Sequence, residues 1–111
     1  MHFHSPSEHT VDGKNYDLEL HMVHSDVKTG APGAVIGIFF SVDDTAGDNI
    51  FLNEIVPDLY IVDNKTNTHI GTVKLATFLK QIDFQSFYVY DGSFTTPPCT
   101  EGIRFHIVTK P

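Results

Sequence analysis

Five of the seven histidines lie within the first 24 residues, and the spacing of three of them indicates a metal site. His2 and His4 are separated by one residue, so on a β-strand both side chains point to the same face. By the same rule Glu19, His21 and Val23 share one face of a second strand. If the two strands pair, three imidazoles converge. Three neutral nitrogens with an open fourth position are the ligand set of a catalytic zinc.

Glu19 strengthens this interpretation because it lies two residues before His21 on the same face. Its carboxylate could accept the N–H of the ring nitrogen that does not bind the metal, which fixes the tautomer and the ring orientation. Neutral ligands also leave the full charge on zinc, and zinc lowers the pKa of a bound water to about 7. The His-x-His and Glu-x-His pairs together therefore predict a catalytic zinc site at which hydroxide would be available at neutral pH.

Strands must position these residues, and the hydrophobic pattern predicts a mainly β fold (α+β with few short helices). Asp12-Gly13 is a hairpin signal, and residues 34–42 form an apolar run typical of a central strand. The predicted strands cover 2–4, 16–24, 34–42, 87–90 and 103–108, with a turn at Asp91-Gly92 after the fourth. Short helices are predicted over 50–56, capped by Asp48 or Asn49 and stopped by Pro57, and over 73–80. Residues 59–62 are ambiguous, and 63–68 are a predicted loop.

Composition limits the classes of function to consider. The chain has 111 residues, which is one domain at most. With 14 acidic and 7 basic residues its formal net charge is −7, which argues against binding to nucleic acid or to an anionic membrane. No apolar run reaches the length of a transmembrane helix, and the first residues do not read as a secretory leader.

The other histidines and the single cysteine have simpler structural explanations. His9 and His24 are expected to be hydrogen-bonded core residues, His69 is expected to be solvated, and His106 has no assigned role. Cys99 excludes an internal disulfide and a multi-cysteine zinc site, and its simplest role is that of a small buried hydrophobe.

A rival metal motif also deserves comparison. His2-x-His4 followed by Glu8 resembles the first metal motif of the cupins, a different β-barrel family. The cupin pattern needs a later Pro-x-Gly motif and a histidine on a returning strand. The only proline-glycine pair, Pro32-Gly33, precedes a strand without histidine, so the cupin interpretation is disfavoured.

Three segments together resemble the α-class carbonic anhydrases: HFHSPSEHTVDGK from His2, ELHMVHS from Glu19 and YDGSFTTPPCTEG from Tyr90. Their order and spacing match the family, and the run AVIGIFFSV fits the family's strand between them. The short turn before Glu8 is similar to the plant, bacterial and protist branches. The resemblance implies that the fold is part of the α-carbonic anhydrase fold, a large twisted and mostly antiparallel sheet.

The resemblance also implies roles for individual residues. The implied zinc ligands are His2, His4 and His21. The implied catalytic pair is Thr95 and Glu8, with the Thr95 hydroxyl donating to Glu8 and accepting from zinc-bound hydroxide. The implied supporting residues are Glu19 behind His21 and a buried hydrogen-bonded pair of His9 and Tyr90. The implied substrate wall comprises Val23, Val35, Phe94, Thr95, Thr96, Ile103 and Phe105, and Phe105 stands where many relatives have Trp.

The implied activity is the zinc-dependent, reversible hydration of carbon dioxide to bicarbonate and a proton, so the implied partner is a small-molecule substrate. The alternative is a non-catalytic relative of the carbonic anhydrases with a binding or structural role. Complete members are roughly double this length or more, in keeping with one large domain. Residues 1–111 are therefore expected to be an incomplete domain that lacks N- and C-terminal portions, including the segment with the proton-shuttle histidine. Alone, this chain is expected to be unstable and poorly active.

The family resemblance gives Cys99 a second possible role. In secreted relatives a cysteine directly after Thr-Thr-Pro-Pro pairs with one near the N-terminus, which here would lie outside the sequence. This favours a secreted or lumenal location for the parent protein.

Overall fold

The computed structural model describes residues 1–59 and 73–110. The predictions for residues 60–62, for the loop 63–68 and for His69 lie outside the described residues. The chain divides into two compact units, one formed by Met1–Val42 with Asp83–Pro111 and the other by Asp43–Ile82.

The first unit contains a five-stranded sheet. Its strands are β1 (His2–His4), β4 (Leu18–Ser25), β5 (Pro32–Phe40), β6 (Phe87–Ser93) and β7 (Glu101–Val108). They lie in the order β1-β4-β5-β7-β6. β5 and β7 run parallel, and the other three neighbouring pairs are antiparallel. The predicted mainly β, mostly antiparallel fold is confirmed, and the apolar run 34–42 supplies most of the central strand, which ends at Phe40.

The register places the predicted site on one face of the sheet. His2 of β1 lies opposite His21 of β4, and His21 in turn lies opposite Gly37 of β5. Because directly opposed residues point to the same side, this face also carries the hydrophobic core of the unit. That cluster consists of Val35, Phe39, Ile103, Phe105 and Ile107. The ligand-bearing histidines are thus built onto the packed face of the sheet.

A separate hairpin fixes the segment between β1 and β4. β2 (Thr10–Val11) pairs with β3 (Lys14–Asn15), and Asp12 and Gly13 both have positive φ, at 51° and 74°. Two left-handed residues form the primed turn that suits a tight hairpin, so the Asp-Gly prediction is confirmed. Ser7, only 3% exposed, joins this hairpin to the segment before it. Its Oγ donates to the His9 carbonyl at 2.6 Å and accepts from the Tyr16 amide at 2.9 Å.

The predicted turn at Asp91-Gly92 is wrong, because β6 continues through both residues to Ser93. Asp91 accepts two hydrogen bonds from Arg104 across the strand pair, at 2.8 and 3.0 Å. A Cβ atom at position 92 would lie only 2.9 Å from Cε2 of Tyr90. Gly92 therefore leaves space for the tyrosine ring and does not reverse the chain.

The second unit contains α1 (Ile50–Leu59) and α2 (Leu75–Leu79). Asn49 caps α1 through its side-chain oxygen, which accepts from the amides of Phe51 and Leu52 at 3.0 and 3.2 Å. The rings of Phe51 and Phe78 stack with centroids 4.0 Å apart. The expected stop at Pro57 is wrong. α1 includes Pro57 and ends two residues later, and the φ to which proline is restricted is one that a helix can use.

Neither described helix has the length and apolar character needed to cross a membrane.

Candidate metal centre

Three imidazole rings meet at the β1–β4 pair. The ring centroids of His4 lie 4.8 Å from His2 and 4.6 Å from His21, and those of His2 and His21 are 5.4 Å apart. One potential ligand nitrogen of each ring lies within 4.8 Å of the others. His21 is buried, His4 is half-buried and His2 is exposed, so the cluster has a closed end and an open end. The three rings converge, as the alternation of side chains along the two strands predicts.

Glu19 fixes the ring of His21. The Nε2–H of His21 donates to Oε1 of Glu19 at 2.7 Å, which leaves Nδ1 of His21 for a metal. Glu19 is fully buried, and burial alone would raise the pKa of its carboxyl. Hydrogen bonds from His21 and His9 outweigh that effect and hold the pKa of Glu19 well below its usual value. The carboxyl is therefore an ionised acceptor at neutral pH.

His9 is a second donor to Glu19 that the sequence pattern did not reveal. Its Nδ1 lies 2.6 Å from Oε1 of Glu19, and its backbone amide donates to Oε2 at 3.0 Å. On the other side of the ring, Nε2 lies 2.5 Å from the hydroxyl of Tyr90. No local signal could have found this chain of contacts, because it depends on the path of the backbone between β1 and β2.

Tyr90 forms the predicted pair with His9 but is not buried, since it is 41% exposed. β6 is the end strand of the described sheet, so one side of the tyrosine faces solvent. The ring stacks on Phe105 with centroids 4.8 Å apart and planes 5° apart. Desolvation, followed by the charges of Glu19 and Glu8, raises the pKa of the Tyr90 phenol above its usual value.

The donor set fits a zinc ion. Nε2 of His4 is buried and has no hydrogen-bond partner among the described residues. Buried polar atoms nearly always have a partner, so this nitrogen needs a ligand that the protein does not supply. Burial, and then the neighbouring His4 and His21, lower the pKa of His2 and favour its neutral form. Three convergent imidazoles, one of them with an orphaned nitrogen, match a three-histidine zinc site.

Glu8 and Thr95 meet beside the histidines although 87 residues separate them in sequence. The Thr95 hydroxyl donates to both carboxylate oxygens of Glu8, at 3.0 and 3.1 Å. Oε1 of Glu8 also lies 3.4 Å from Nδ1 of His4. The proton of Thr95 is therefore committed to Glu8, and the remaining lone pairs of its oxygen can only accept hydrogen bonds.

A cavity of about 160 Å³ joins these groups. It is lined by His2, His4, Glu8, His21, Val23, Val35, Phe94, Thr95, Thr96 and Phe105. Ile103, an expected wall residue, is not among them. It is fully buried in the cluster against which Val23 and Phe94 pack, so it supports the wall from beneath.

Two other expectations need correction. His24 is exposed rather than in the core, because β4 exposes its last residues, and its Nδ1 lies 2.9 Å from the Met22 carbonyl oxygen. Cys99 is an exposed free cysteine with φ of 55°, not a buried hydrophobe, because it lies in the irregular segment between β6 and β7.

Comparison with known proteins agrees with this geometry. The family model for eukaryotic-type carbonic anhydrase matches residues 1–111. The chain belongs to the carbonic anhydrase family. It is 41% identical over 111 residues to alpha carbonic anhydrase 4 of Arabidopsis thaliana, covering 98% of this chain and 38% of that one. It is also 36% identical over 110 residues to dioscorin dioA3 of Dioscorea japonica, covering 99% of this chain and 39% of that one.

A solved member of the family shows the same fold. The alpha carbonic anhydrase of Aspergillus oryzae superposes with a TM-score of 0.83 at 32% identity, covering 98% of this chain and 46% of that one. The chain thus spans about two-fifths of the length of the curated relatives it matches. Its described sheet is the part of the carbonic anhydrase fold that carries the candidate zinc ligands.

Proposed function

We propose that the protein catalyses the zinc-dependent, reversible hydration of carbon dioxide to bicarbonate and a proton. The observation that carries the proposal is the unpartnered, buried Nε2 of His4 inside a cluster of three imidazoles. His2, His4 and His21 would hold the ion. Zinc, when bound, supplies a hydroxide nucleophile at neutral pH by lowering the pKa of water to about 7.

The protein's own groups would orient that nucleophile. Since Thr95 donates to Glu8, the threonine oxygen can only accept the proton of the attacking oxygen, which turns a lone pair of that oxygen toward substrate. Preorganised contacts of this kind lower the barrier because the reacting groups need no reorientation. Glu8 and Thr95 are therefore the proposed catalytic pair.

The substrate needs a different environment. Carbon dioxide is uncharged and apolar, so a dry wall beside the nucleophile holds it better than hydrogen-bond donors would. Val23, Val35, Phe94 and Phe105 supply apolar surface in the cavity, and Thr96 adds a polar group at its edge. Phe105 is 3% exposed and is held flat against the ring of Tyr90.

Three measurements on the purified protein would test the proposal. We expect one zinc per chain by elemental analysis, carbon dioxide hydration in a stopped-flow assay, and inhibition of that activity by a sulfonamide. Bound zinc without hydration would support the alternative of a non-catalytic relative. That alternative has a specific basis, since not every similar protein is named a carbonic anhydrase and dioscorins are among them. The intact set of three histidines together with the Glu8–Thr95 contact favours catalysis.

We further propose a secreted or lumenal location for the protein. Cys99 is exposed and is the only cysteine in the sequence, so a disulfide at this position needs a partner outside these residues. Mass spectrometry of the non-reduced protein isolated from its source would show a cross-linked Cys99 peptide. A free thiol there would argue against this location.

A further inference from the structure

Gly37 lies in the middle of β5, directly opposite His21 of β4 and paired with Ile107 of β7. The residue is buried, and its φ lies outside the left-handed range that would favour glycine. Glycine inside a strand weakens it and often marks a place where another group approaches the backbone closely. The reason for a glycine at this position must therefore be space rather than conformation.

The group that needs this space is the carboxylate of Glu19. A Cβ atom at position 37 would lie 2.9 Å from Oε1 of Glu19 and 2.6 Å from Cδ1 of Ile107. The second contact involves the end of an aliphatic chain, which can rotate. The first involves an oxygen that accepts from His21 at 2.7 Å and from His9 at 2.6 Å.

The Glu19 oxygen has little freedom to move. Its side chain is fully buried, so any displacement must take place against packed neighbours. Moving Oε1 away from β5 also disturbs the hydrogen bond that fixes the tautomer of His21. A methyl group at position 37 would thus act on the metal ligand through the carboxylate behind it.

We propose that Gly37 is a positioning residue of the metal site, because its missing side chain creates the space in which Glu19 holds His21. The expected loss of zinc affinity rests on the proposed function, whereas the effect of Gly37 on the contact between Glu19 and His21 does not. Glycine has no side chain that could bind a metal, so Gly37 acts only through its neighbours.

The test compares two glycine substitutions on the same strand. Gly37→Ala should weaken zinc binding about tenfold, at the lower end of the loss seen when an outer-shell partner is disturbed. Gly33→Ala is the matched control, since nothing lies within 4 Å of a Cβ atom there, and its zinc affinity should stay within about twofold of the parent. Affinity is measured by competition with a chelator at fixed pH. Equal affinities for the two variants would overturn the proposal.

Two double substitutions separate the proposed route from a general packing effect. Ile107→Val removes Cδ1, so Gly37→Ala combined with Ile107→Val should fold while retaining the loss of zinc affinity relative to Ile107→Val alone. Recovery of affinity would place the effect on Ile107 and refute the proposal. In a Glu19→Ala background, Gly37→Ala should cost no further affinity, because the group through which it acts is gone. A further tenfold loss there would also refute it.

A readout without metal distinguishes this inference from the proposed function. In the zinc-free protein, proton NMR follows the Nε2–H of His21 that donates to Glu19. Gly37→Ala should shift this signal or speed its exchange with water, and Gly33→Ala should not. If the parent binds no zinc, the proposed function fails while this comparison still tests Gly37. An unchanged His21 signal would overturn the inference.

Discussion

Thr95→Val gives a direct test of the hydroxide-orienting pair. Valine has nearly the shape of threonine but lacks the oxygen that donates to Glu8 at 3.0 and 3.1 Å. Hydrogen bonds to charged groups contribute about 1.5–3 kcal/mol, and each 1.36 kcal/mol changes a rate tenfold. Since the Glu8 side chain is 30% exposed, solvent competes and the lower half of this range applies. We therefore expect kcat for carbon dioxide hydration to fall roughly 10- to 50-fold.

The assay must separate lost orientation from lost metal. Zinc content should be unchanged in Thr95→Val, because the predicted ligands are the three histidines and Thr95 is not one of them. Thr95→Ser keeps the hydroxyl and should retain most of the activity. Stopped-flow hydration rates are then compared at equal zinc occupancy. A rate for Thr95→Val within twofold of the parent would refute the reasoning.

The role of Glu8 follows from the same argument. Glu8→Gln replaces a pure acceptor by an amide that can also donate to the Thr95 oxygen. The Thr95 hydroxyl then no longer has to donate to residue 8, so kcat should fall by a factor similar to that for Thr95→Val. Because both residues act as a unit, the double variant should be no slower than Thr95→Val alone. Losses that multiply would show that the two residues act independently.

Three further predictions concern the metal, pH and stability. His21→Ala should abolish zinc binding measured by elemental analysis, whereas His24→Ala, at an exposed position, should leave it intact. Because the pKa of Tyr90 is raised, unfolding should become easier as pH rises above about 10, where the unfolded phenol ionises first. In denaturant titrations at several pH values, Tyr90→Phe should reduce the fall in the free energy of unfolding above that pH. An unchanged dependence of stability on pH would contradict the raised pKa of Tyr90. Ser7→Ala should lower the free energy of unfolding by about 1–3 kcal/mol, and Ser5→Ala, at an exposed site, by less.

The sequence was informative wherever a rule of strand geometry applied. Alternation along β1 and β4 placed His2, His4 and His21 on one face, because side chains on a strand alternate strictly. The continuous apolar run around Val35 identified the central strand, since a strand packed on both faces carries apolar residues at successive positions, as buried Gly37, Ile38 and Phe39 do. These inferences depend only on local periodicity, which tertiary contacts did not override.

Local turn and breaker signals were less reliable because tertiary contacts decide their outcome. Asp91-Gly92 has the composition of a turn, yet both residues pair with β7, Asp91 opposite Arg104 and Gly92 opposite Ile103. Pro57 has the composition of a helix stop, yet α1 continues to Leu59. In both cases the residue type is compatible with more than one backbone conformation, and tertiary contacts determine which of them the protein adopts.

The contacts that hold the metal ligands were the hardest to predict, for a physical reason. The alternation of side chains along β4 shows which face Glu19 occupies. It does not show how deeply Glu19 is buried or which groups besides His21 form hydrogen bonds with it. Full burial makes its carboxylate costly unless every acceptor site is used, and the donors come from His9 as well as from β4. The proposed role of Gly37 follows from the same depth, because a Cβ atom at position 37 would lie 2.9 Å from Oε1 of this buried carboxylate. Burial of one charged group thus links three segments whose sequences show no common pattern.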